Sequence, residues 1–199
     1  MVSMHGDAPP HPGFEWSIVL PAHWIHLDTR PGRWQRCAFR LMAQYGGDIT
    51  VFDRVAMVAE ASRSAGAFLT LLSAGTDSAN RWYATALTVA WVRVPIMTSL
   101  ARVAGSLDDS GGEPELITAA SGQLLVHASG DGAAVQVFRH LTGTPWLAVI
   151  TAHVPEPMLH NQFRDLLIGM SESISGAPAE AARSASPVGR GFQSHRRFA

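Results

Sequence analysis

Nine histidines, one cysteine and sixteen carboxylates are the residues of this 199-residue chain that could do chemistry. His23, His26 and Asp28 are of the types that bind a transition metal. On an extended segment, however, positions 26 and 28 point one way and 23 the other. At most two of the three could reach one ion without a bend, and Trp24 and Leu27 beside them predict ordinary sheet packing. His127, His140 and His153 fall on three separate strand candidates. If pairing brought them to one concave place with a carboxylate, they could bind a small molecule or move a proton. Strand register decides this, and spacing alone does not fix it. His140 shares parity with Phe138, and His153 shares parity with Leu147 and Val149.

Other reactive patterns are weaker. Cys37 sits in an apolar helical stripe, which suits a small core residue better than a nucleophile needing a lowered pKa and access. A lone cysteine also excludes an intramolecular disulfide and a thiolate metal cage within the chain. The sequence holds no GxSxG elbow, no HExxH pair and no GK[ST] loop. Asp53 and Glu60, seven apart on one predicted helix, read as solvated charges. Asp108, Asp109, Glu113 and Glu115 are scattered among glycines and a proline and do not fit a calcium loop. Catalysis, a cofactor and a metal are therefore not expected.

Six tryptophans suggest binding instead. Trp82 and Trp91 have opposite parity along one extended run, so in a sheet covered on one side they cannot both face the helices. An aromatic on the uncovered face is a contact candidate. Trp82, Trp91 and Trp146 are the expected interaction residues, and His127, His140 and His153 are the pocket of the alternative reading.

The elements that position these residues are legible in outline. The run PWLAVITAHV predicts a strand, followed by a helix over 157–174 whose Leu159, Phe163, Leu166, Leu167, Met170 and Ile174 form one apolar side. That pair is expected to close the domain, with Phe163, Leu167 and Met170 turned from water. Earlier, FEWSIVLP alternates like a half-buried strand, and residues 23–27 predict a second. Helices are predicted over 32–45 and 48–65, divided by Gly46-Gly47 and by Asp48 as N-cap. Strands follow at 67–73, 82–94, 116–118, 123–128 and 134–140, with a short helix at 97–103 and an exposed loop at SLDDSGGEPE. Strands in sequence without intervening helices predict antiparallel pairing.

The length fits one domain with a proper core. The formal charge of −1 gives no chain-wide affinity for nucleic acid or a membrane surface. All fifteen basic residues are arginine. Residues 176–199 hold Arg183, Arg190, Arg196 and Arg197 against Glu180, a local excess of basic charge, yet nucleic acid is not an expected partner. No secretory leader is recognisable, and no run approaches the roughly 18 apolar residues that span a bilayer. Membrane insertion is not expected, and the cytoplasm is the expected location.

FEWSIVLPAHWIHLD, SAGAFLTLLSAG, SGQLLVHASG and PWLAVITAHVPEPMLHNQFRDLLIGMSESI, in this order over residues 14–174, resemble a group of uncharacterised actinobacterial proteins. The fold of that group resembles the PsbP-like and Ran-binding nuclear-import-factor superfamily. The resemblance implies a non-enzymatic scaffold for protein contacts and supplies no catalytic residues. The expectation is a loose N-terminus over 1–13, a single α+β domain over 14–175 and a flexible tail over 176–199. An antiparallel sheet of six or seven strands would carry its helices on one face. The expected function is a non-catalytic interaction or accessory domain with a protein partner or a second copy, as in a homodimer. The alternative is a small-molecule binder or enzyme with a histidine pocket.

Overall fold

The structure, a computed structural model, describes residues 12–44, 49–76, 82–107, 111–154, 159–176 and 197–198, with backbone alone at 75, 76, 82, 83, 197 and 198. It is an α+β fold built on a seven-stranded antiparallel sheet. Strands β2 (Ile25–His26), β3 (Ala67–Thr76), β4 (Trp82–Arg93), β5 (Glu115–Ala119), β6 (Gly122–Ala128), β7 (Ala134–His140) and β8 (Trp146–His153) are arranged β2-β3-β4-β8-β7-β6-β5. The strand expected at the start contributes only β1 (Trp16–Ser17), and it stands outside this sheet. It pairs on either side with β9 (Ser175–Gly176) and β10 (Arg197–Phe198). Residues 1–11, most of the expected tail (177–196), the Gly46-Gly47 stop and Asp48 cap (45–48), the expected start of the last helix (155–158), and the centres of the β3–β4 turn and the 106–114 loop (77–81 and 108–110) lie outside the described residues.

Helices α1 (Trp34–Gln44), α2 (Ile49–Ser64), α3 (Leu100–Gly105) and α4 (His160–Ser173) cover both sides of the sheet. The α+β class and the antiparallel sheet stand as the sequence predicts. A single helical face does not. Leu71, Leu87, Val137 and Ile150 form one cluster with Leu167 and Met170 of α4. Leu72, the next residue along β3, belongs to a cluster with Ala38, Leu41, Val51 and Val55 of α1 and α2. Leu125, Phe138 and Leu147 pack on Leu100 of α3. Successive residues point to opposite faces, so α4 lies on one face, and α1, α2 and α3 lie on the other. The physical cue is the apolar run without alternation (FLTLL, QLLVH, WLAVITA), which signals a strand buried on both sides.

A β-bulge at Ala67 to Leu69 shapes the first face. The extra residue lets adjacent Phe68 and Leu69 both join the α4-side core. Phe68 then stacks on Trp91 at 5.7 Å between ring centres, and Trp16 meets both rings edge-on at 4.7 and 5.3 Å. β1 thus acts as a plug over the first face.

Helix α4 has no basic residue in its last turn. Arg139 of β7, half-buried on an otherwise apolar face, supplies the cation instead. Its guanidinium donates to the carbonyls of Ser171 and Ile174, the latter at 2.8 Å. Positive charge there satisfies the free carbonyls and opposes the negative end of the helix dipole. Two more ties fix α4 against the sheet edge: Arg164 pairs with Glu115 at 2.7 Å, and the Ala120 N–H donates to Glu172 at 3.0 Å. The short helix α3 begins later than the sequence suggests, because Pro95 to Thr98 is a turn (Thr98 N–H to Pro95 O, 2.8 Å) and Ser99 caps the helix.

At the other sheet edge, Arg30 closes a two-pronged pair with Asp28 at 2.8 and 2.5 Å. That hydrogen bond holds the Asp28 carboxyl at about 2, below its ordinary 3.8. A lowered folded-state pKa stabilises the fold above the ordinary carboxylate range, and the contribution is lost as pH falls through about 2. Replacing Arg30 with alanine is expected to return the Asp28 titration toward 3.8, as read from its carboxyl carbon by NMR. An Asp28 midpoint that stays near 2 in that variant would show that Arg30 is not the cause.

Candidate functional site

The three predicted histidines do share a sheet face, the one opposite α4. On it, Thr70, Thr88, Thr151, Gln136 and His127 stand directly opposite one another on β3, β4, β8, β7 and β6. This polar rung crosses the sheet between the apolar cluster under α1 and α2 and the one under α3. Gln136 Nε2 donates to Thr151 Oγ1 at 3.3 Å. His127 is buried at the end of the rung, and a Cβ placed on Gly112 would lie 3.2 Å from its Nε2.

Sharing a face does not make a pocket. His140 pairs with Leu147, and the row Leu125, Phe138 and Val149 stands between it and the polar rung. Four residues along a strand separate His140 from Gln136 by about 13 Å. His153 is exposed and pairs with Ala134 on the far side of the rung. Its charge acts on Asp131, whose carboxyl is held below the usual range chiefly by the Ser129 hydroxyl.

That Ser129–Asp131–His153 group contains the residue types of a hydrolytic triad, but in the wrong order. Ser129 Oγ donates to Asp131 at 2.6 Å and accepts the Ala134 N–H at 2.9 Å. In nucleophilic catalysis the histidine takes the proton from serine, and the carboxylate stands behind the histidine. Here serine is bonded to the carboxylate and to the backbone, which makes a tight β6–β7 turn. The three histidines therefore occupy separate environments.

The remaining candidates resolve similarly. His23 adopts a left-handed conformation (φ 69°) in the turn before β2, and Asp28 is engaged by Arg30. Among the described residues no group of three or more His, Cys, Asp or Glu could hold a metal. Burial pushes the Cys37 thiol above its ordinary pKa, with Arg40 opposing, so the protonated form dominates at neutral pH. Asp53 and Glu60 are exposed on α2.

Among the predicted contact residues, Trp91 is only 2% exposed and belongs to the core, so it cannot serve as a contact. Trp146 is half-buried against the same core, and the Trp82 side chain lies outside the described residues. The parity difference between Trp82 and Trp91 does not select a free face, because both faces carry helices.

An apolar surface lies elsewhere, along the outer seam of α1 and α2. Phe39 is 55% exposed and Ile49 62%. Phe52, one turn after Ile49, bridges to Phe39 at 5.2 Å and to Trp34 at 5.1 Å between ring centres. The helices are amphipathic and press Ala38, Leu41, Val51, Val55 and Ala59 onto Leu72. Phe39 falls about 100° around α1 from Ala38, which turns it outward. The sequence carries a signal for this surface: an aromatic residue off the apolar stripe of a predicted helix. No helix among the described residues is long and apolar enough to cross a membrane. No family model, curated protein or solved structure matches this chain.

Proposed function

We propose that this chain is a non-catalytic protein-binding module whose contact face is the α1–α2 seam. The carrying observation is the contiguous ring series Trp34–Phe52–Phe39 with Ile49, of which Phe39 and Ile49 are more than half exposed. Large apolar side chains grouped on a surface mark interaction sites, whereas single ones do not. Aromatic anchors of this kind carry most of the energy of an interface. Exposed Arg36 and Arg40 flank Phe39 in the sequence of α1, and exposed Asp53 follows Phe52 on α2, which supplies both signs of charge for a polar rim. The resemblance to PsbP-like scaffolds points the same way, toward protein contacts without catalysis. A second copy of the chain is the simplest partner.

A double substitution Phe39→Glu and Ile49→Glu tests this reading by light scattering and by capture from the native host. Binding, to itself or to a partner, is expected to weaken by about 30-fold or more. Thermal stability should move by only about 1 kcal/mol or less, since both side chains are more than half exposed. A parent chain that is monomeric and captures nothing, or a variant that associates as the parent does, rejects the seam as the contact face.

A further inference from the structure

One end of the sheet carries charge and apolar surface that the chain-wide average conceals. The β4–α3 connection and α3 (94–107), the β5–β6 turn (120–121) and the β7–β8 turn (141–145) contain no Asp or Glu. Arg93 and Arg102 are exposed at this end. Glu172 of α4, exposed beside the β5–β6 turn, accepts the Ala120 N–H. Exposed Glu113, Glu115 and Asp131 lie at the opposite end of the sheet. The β4–α3 connection and α3 therefore carry local positive charge with no acidic residue of their own.

The Pro95–Thr98 turn projects from the basic end. Its two central residues are Ile96, 60% exposed, and Met97, 93% exposed, with Val92 exposed just before them. The turn is anchored from behind, since Val94 N–H donates to Pro145 O at 2.9 Å and ties it to the β7–β8 turn that leads into half-buried Trp146. An aliphatic tip on a braced support, flanked by arginines, is shaped to enter a soft layer.

We propose that this turn seats the domain on an anionic lipid bilayer. Ile96 and Met97 would enter the boundary between headgroups and acyl chains, and Arg93 and Arg102 would meet headgroup phosphates. Shallow apolar insertion and local basic charge act together in such docking, and neither suffices alone. Nucleic acid fits less well, because its phosphate backbone gives the Ile96–Met97 tip nothing apolar to enter. A flat protein surface fits less well because the tip is convex. This surface is separate from the α1–α2 seam and does not depend on it.

Co-sedimentation of the full chain with vesicles gives the test. The protein is expected to pellet with mixed phosphatidylglycerol and phosphatidylcholine, progressively less as salt rises, and to stay in solution with phosphatidylcholine alone. Ile96→Asp with Met97→Asp, and separately Arg93→Ala with Arg102→Ala, should each weaken binding about tenfold or more. A thermal melt confirms that each variant is folded, and the seam variant Phe39→Glu/Ile49→Glu should pellet as the parent does. No binding to either vesicle overturns the proposal. Equal binding to both vesicles, or undiminished binding by the tip variant, also overturns it. So does a tip variant that dissociates an oligomer while the parent ignores lipid, which would make the turn a protein interface.

Discussion

Replacing Gly112 with alanine is expected to destabilise the protein by about 3 kcal/mol, the upper part of the range for overpacked sites. The added Cβ would lie 1.6 Å from the Ala128 carbonyl oxygen and 2.8 Å from its carbonyl carbon. Both are backbone atoms of β6, so no rotamer change can relieve the overlap. The return side of the contact is equally close: a Cβ on Gly130 would meet the Gly111 oxygen at 2.3 Å. SLDDSGGEPE reads from sequence as an exposed loop, but its glycines press backbone to backbone on the end of β6 and close over His127. Gly169 supplies the control. It lies within α4, and a Cβ added there would meet nothing within 4 Å, so alanine should be neutral or stabilising by up to about 1 kcal/mol. Chemical denaturation of both variants checks the pair. Equal stability of Gly112→Ala and the parent would show that the loop is not packed this way.

Leu167→Ala is expected to cost about 3 kcal/mol, within the range of about 2–5 for emptying a buried leucine site. Leu167 is fully buried and sits with Met170 and Ile174 against β7 and β8. Alanine is at least as good a helix former as leucine, so the loss would report packing and not propensity. The cavity should also loosen the C-terminal turn of α4, where Arg139 holds the Ser171 and Ile174 carbonyls. Faster amide exchange over 170–174 is the accompanying sign. A loss under about 0.5 kcal/mol, typical of surface sites, would mean that α4 does not close this core.

These two effects bear differently on what is readable in advance. The Leu167 expectation follows from helical periodicity, and α4 buries Leu167 and Met170 as that pattern requires, with Phe163 half-buried beside Trp24 at 6.3 Å. The Gly112 expectation has no counterpart in the sequence. Two glycines in a polar loop look alike whether they face water or another backbone, and only the position of Ala128 distinguishes the cases.

Locally encoded features were within reach of the sequence. The helices α1, α2 and α4, the central strands and their antiparallel pairing follow from period and the lack of intervening helices, whereas the order of the strands does not. The tertiary structure alone decided which side each helix took, because an unbroken apolar strand can be buried by layers on either face. It also decided that Trp91 is core, that β1 leaves the main sheet, and that His127, His140 and His153 share a face without meeting. These depend on strand register, which shifts a side chain by about 7 Å for every two residues and carries no mark in the spacing of the histidines themselves. The basic end of the sheet has the same origin: a net charge of −1 is a sum, whereas the field at Ile96 and Met97 depends on which turns the fold gathers there.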